Sequence, residues 1–180
     1  MLDLRIYISL MFFVDAYMAF PRTYEGSLVS WKSTGTSVFD FNIRLLGRER
    51  KANGSLTLKE DIDDKHFTME AVSFVDSNGS GNYKRMAISL AKKPMCEAIK
   101  TYWDYFEGTL KYGVTTNCPF VNRTCPLPKG HYYIKDMSIN TDDWPAVMPR
   151  GYLKGIITFK KDSKVVSEQE LVVHVMDRPF

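Results

Sequence analysis

Alternation constrains the fold of this chain more than any other feature. Phe39, Phe41, Ile43 and Leu45 are spaced by Asp40, Asn42 and Arg44, which gives one apolar and one wet face. Leu56 and Leu58 repeat the pattern beyond Asn53-Gly54, a dipeptide that reads as a hairpin turn. From His66 to Val75, one face carries Phe67, Met69, Ala71 and Val75. The other carries Val72 and Phe74, so this strand reads as covered on both sides. Met86, Ile88 and Leu90 alternate after the turn at 78–81, and strands resume over 132–140, 152–160 and 165–176. Strands with one apolar face, joined by short turns, bury that face by stacking in layers. The pattern predicts a mainly β, immunoglobulin-like two-sheet sandwich of about eight antiparallel strands. One helix interrupts it: Pro94 opens it, Met95, Ile99, Tyr102, Trp103 and Phe106 follow at spacings of three and four, and Gly108 ends it.

The first 20 residues are of a different kind. Arg5 precedes an apolar run from Ile6 to Val14, and Ala16 and Ala19 follow, the order of a secretory signal peptide. The expectation is a signal peptide over 1–20 and a single secreted domain over 21–180. Asn53, Asn78 and Asn122 each begin an Asn-x-Ser/Thr acceptor for N-glycosylation, which suits an extracellular chain and an exposed turn. Net charge is only +3, without the concentrated basic patch of a nucleic-acid binder.

The sequence carries no recognisable metal-binding or nucleophile motif and no phosphate-cradling glycine loop. Glu60, Asp61, Asp63 and Asp64 lack the spacing of a calcium loop and read as a solvated turn. His66, His131 and His174 are scattered and read as structural. No enzyme activity, metal or cofactor is expected. Cys96, Cys118 and Cys125 allow one bridge and leave one thiol; both Cys96–Cys125 and Cys118–Cys125 are open on sequence grounds.

The segment from Cys125 through Pro126, Gly130 and Tyr132 to Asp136, followed by Trp144, Pro145, Met148, Pro149 and Tyr152, resembles insect chemosensory proteins of the CheA/CheB type. These are secreted relatives of the mammalian ganglioside activator protein, within the ML-like lipid-recognition superfamily. The stretch 54–64, Asn82 to Met86, and Lys93 to Cys96 with its aromatic helix have the same cadence, so the likeness spans the mature chain. It implies a β-cup whose sheets splay around an apolar cavity, and it favours a Cys96–Cys125 bridge. The family's partner for Cys118 is missing here, which leaves that thiol free or linked to another chain.

Under this resemblance the expected function is lipid or hydrophobic-ligand binding in chemosensation, namely gustatory pheromone detection without chemical conversion. The expected partners are a hydrophobic small molecule, such as a lipid or hydrocarbon pheromone, and a sensory receptor or membrane surface. The alternative is a secreted accessory protein that modulates a receptor and has a filled core. Inward positions Phe41, Ile43, Leu58, Met69, Met86 and Ile156, with Ile99 and Trp103 of the helix, are the expected cavity lining. Trp144 and Met148, in a proline-punctuated loop, are expected at its rim or at a membrane surface.

Overall fold

A computed structural model describes residues 23–122 and 124–179; the expected signal peptide, 1–20, lies outside them. The strands are β1 (Tyr24–Thr34), β2 (Phe39–Leu46), β3 (Lys51–Leu58), β4 (Phe67–Asp76), β5 (Lys84–Pro94), β6 (Gly130–Met137), β7 (Gly151–Lys161) and β8 (Lys164–Asp177). Five of them form one sheet in the order β1-β8-β7-β4-β5, and β2-β3-β6 form the other. Every pairing is antiparallel. The expected two-sheet, mainly β architecture is what the chain adopts.

The helix α1 (Met95–Tyr102) begins directly after Pro94 and is extended by a short 3-10 turn, Trp103–Tyr105. Asp64 Oδ1 accepts the Cys96 N–H at 2.6 Å and so satisfies a donor that helix geometry leaves open. Met95, Cys96, Ala98 and Ile99 are its buried face. A disulfide joins Cys96 to Cys125, with Cα atoms 5.7 Å apart, and fastens the start of the helix to the segment leading into β6.

One expectation about turns needs correction. Asn53 and Gly54 are not a hairpin turn: they lie inside β3, and the chain reverses around Gly47 and Arg50, whose φ values are 71° and 51°. Gly54 has φ 149°, and a Cβ there would stand 1.9 Å from the Asn42 carbonyl oxygen, so glycine permits a close backbone approach. The register against β6 shifts between Ala52 and Gly54, as at a bulge. Asn53 is therefore half-buried in a strand, and its Oδ1 accepts the Asp136 N–H at 3.0 Å. Of the other acceptor sites, Asn78 lies in the exposed β4–β5 turn, and Asn122 closes the 3-10 turn Pro119–Asn122.

That β4–β5 turn is organised by Asp76, which is 3% exposed. Burial alone would raise its pKa. The N–H groups of Gly81, Asn78, Ser80 and Gly79 outweigh it and hold the carboxyl below its ordinary 3.8. A lowered folded-state pKa means that the ionised group stabilises the fold above the unfolded carboxylate value. That contribution is lost as pH falls through the folded value. Denaturant midpoints of wild type and Asp76→Asn should therefore differ at neutral pH and draw together only as pH falls below the ordinary 3.8 and on through the lowered folded-state value.

Candidate functional site

The buried apolar residues do not make one continuous core. One cluster gathers Phe39, Leu58, Ile62, Phe67, Ile99, Leu127 and Phe159 with their neighbours. The other gathers Tyr24, Leu28, Met137, Met148, Leu153, Val173 and Val175. At the first, Phe39 stacks on Phe159 at 4.6 Å and closes the sheets together. Between the sheets lies a cavity of about 350 Å³ walled by residues of both clusters. It is far larger than the scattered voids of a well-packed interior.

The hollow has an identifiable origin in side-chain size. On the inner face of β4 and β7, Ala71 and Ser73 line the space, and Gly155 pairs with Ser73. A Cβ added to Gly155 would meet nothing within 4 Å, although the residue sits mid-strand in the larger sheet. Around these small residues stand large, adaptable ones. Met69, Met86, Met95, Met137 and Met148 all line the cavity, which leaves only Met176 of the described methionines elsewhere. Thioether chains follow irregular shapes, so such a wall fits itself to a variable apolar surface.

Phe41, Met69, Met86, Ile99 and Trp103 of the expected lining wall this cavity, and Trp144 and Met148, expected at its rim or a membrane surface, line it too. Three expected residues do not. Ile43 packs half-buried against the second cluster, opposite Gly54, short of the void. Leu58 is buried in the first cluster at the end of β3, beside Phe39, where the sheets have already closed. Ile156 pairs with Glu170 on the outer face of β7, while Gly155 and Ile157 face inward. The run Gly155-Ile156-Ile157 is apolar or small at every position, so sequence alternation could not fix its phase. Trp31, Leu153, Phe159, Leu171 and Val173 line the cavity and were not anticipated.

The loop 141–150 folds back over one end of the cavity. Met148 is not a projecting rim residue: it is 8% exposed and belongs to the second cluster. Arg150 holds the base of the loop, donating to Met148 O and Asp177 Oδ1 at 2.7 Å each. Trp144 donates its indole N–H to Tyr105 O at 3.3 Å and ties the loop to the turn beyond α1. The tip stays outside, with Val147 84% exposed.

The titratable groups singled out from sequence are engaged in contacts within the fold, the aspartates with backbone N–H groups and the histidines with side chains. Asp61 accepts the Lys129 N–H at 2.7 Å, Asp63 accepts those of Lys65 and His66, and Asp64 caps α1. His66 pairs with Asp63, His131 bonds Thr57 at 2.8 Å, and His174 stacks on Tyr152 at 4.6 Å. Among the described residues no group of three such side chains could hold a metal ion, and no helix is long and apolar enough to cross a membrane. Cys118 is a free thiol with no exposed surface, and burial pushes its pKa up to about 12. The thiolate is the reactive form, so a thiol reagent at neutral pH should label Cys118 only after denaturation, readable by mass spectrometry.

Residues 69–154 match a protein-family model described as "Protein of unknown function (DUF1091)". The matched stretch runs from the inner face of β4 through β5, α1 and β6 into β7. It includes both bridge cysteines, Trp103 and the Trp144 loop. No curated protein matches the chain.

Proposed function

We propose that the protein is a secreted carrier of an apolar small molecule, acting in chemosensation of the kind served by the insect CheA/CheB-type proteins, and that it holds its ligand without converting it. The observation that carries the reading is the cavity of about 350 Å³ between two separate core clusters, with an open-faced glycine in its wall. Removing apolar surface from water yields roughly 25 cal/mol per Å², so a lipid or hydrocarbon chain can be held there by burial alone. The loop 141–150 and the turn beyond α1, both of which line the space, would frame the ligand's entry.

Solvent extraction of the protein purified from a secreting eukaryotic host, followed by mass spectrometry, tests the reading. A bound lipid-like molecule, with saturable uptake of a fluorescent fatty-acid probe by the emptied protein, is the expected result. Protein that releases nothing and takes up no probe belongs instead to the class of filled-core receptor modulators.

A further inference from the structure

The three tryptophans of the chain all line the cavity, yet their indole N–H groups are placed differently. Trp31 donates to Gln169 Oε1 at 2.9 Å and Trp144 to Tyr105 O at 3.3 Å. Trp103, in the turn just beyond α1, is 4% exposed, and its N–H has no acceptor among the described residues. Buried indoles ordinarily find one, because burial removes the water that would otherwise accept.

Among the other polar groups of the wall, Ser89 and Tyr105 are exposed to water, and three less exposed ones are already engaged. The Ser73 hydroxyl donates to Ile88 O, and the Tyr102 hydroxyl donates to Ala91 O at 3.2 Å. The Gln169 amide donates to the Ser33 and Ser167 hydroxyl oxygens, both at 2.8 Å. Trp103 thus holds an unmet donor in a wall whose Met95, Ile99, Phe106 and Leu110 side chains offer no oxygen.

We propose that Trp103 donates a hydrogen bond to the ligand, and that the ligand is a long apolar molecule interrupted by a neutral, acceptor-only oxygen such as a ketone or ester. This rests on the reading that the cavity holds a ligand. A plain hydrocarbon leaves the Trp103 N–H bare. An alcohol supplies an acceptor but brings an O–H that needs a partner of its own, and a carboxylate would have to lose its hydration, because the one charged residue of the wall, Lys154, turns its ammonium onto the Tyr83 ring at 4.1 Å. A carbonyl oxygen matches the buried open donor of Trp103.

The test compares methyl laurate with pentadecane, which has the same number of non-hydrogen atoms. Each displaces a naphthylamine probe from emptied wild type and from Trp103→Phe, which keeps an aromatic ring and removes the N–H. The ratio of ester to alkane affinity should fall about five- to tenfold in Trp103→Phe, the worth of one hydrogen bond. An unchanged ratio overturns the proposal. In the unaltered protein, isotope-labelled indole N–H resonances give a second readout that does not depend on how the variant folds. The Trp103 signal should move downfield with methyl laurate and not with pentadecane, and equal responses to both contradict the assignment. If neither compound displaces the probe from wild type, the carrier reading fails and this inference fails with it.

Discussion

Gly155→Phe should weaken ligand binding by more than tenfold while leaving the protein at least as stable as before. Gly155 lies in the middle of β7 between Ser73 and Leu171, and a side chain grown from it enters open space. A phenyl ring there takes the place of ligand carbons. Losing two or three methylenes at about 0.8 kcal/mol each lowers affinity for an apolar probe about 15- to 60-fold. Glycine in a strand interior costs roughly 0.5–1 kcal/mol relative to a residue with a side chain, so the thermal midpoint should hold or rise. A variant that binds the probe as wild type does, or that unfolds because the space was already filled, would contradict the cavity's position.

Removing the bridge should have the largest effect on stability. Cys96 and Cys125 are 29 residues apart in sequence, and releasing that loop in the unfolded chain costs about 3–4 kcal/mol. For a chain of this size that is roughly a 10 °C fall in melting temperature for Cys96→Ala with Cys125→Ala. Binding should weaken as well, because Met95, Ala98 and Ile99 of the tethered helix form part of the cavity wall. Thermal melts of the variant with and without a saturating apolar ligand separate the two effects. A midpoint within about 2 °C of wild type would show that the bridge constrains little.

Most of the β pattern was legible because alternation survives wherever one face is buried and the other wet, as in Phe39 to Leu45. β1 was not, because its register breaks between Leu28 and Ser30 and puts Leu28 and Trp31 out of a simple period of two. Asn53-Gly54 misled for a related reason. Glycine there serves close backbone contact within a strand, and the dipeptide looks the same as a turn. The helix was readable from its spacing and from Pro94, and its cap by Asp64 was not, because that residue lies 32 positions away.

The site was half legible. Large apolar residues marked inward faces, and a cavity is defined as much by what is missing. Ala71, Ser73 and Gly155 carry that information, and small residues on the inner faces of neighbouring strands are the signal that would have found it. The open indole of Trp103 could be seen only once its surroundings were known.

The most direct measurement is a crystal of the emptied protein soaked with bromododecane, with data collected at the bromine absorption edge. The account predicts an anomalous peak between the sheets, within contact of Gly155 or the methionines around it. A soaked crystal that takes up bromododecane only at its outer surface, with the space beside Gly155 filled by the protein's own side chains, would contradict it.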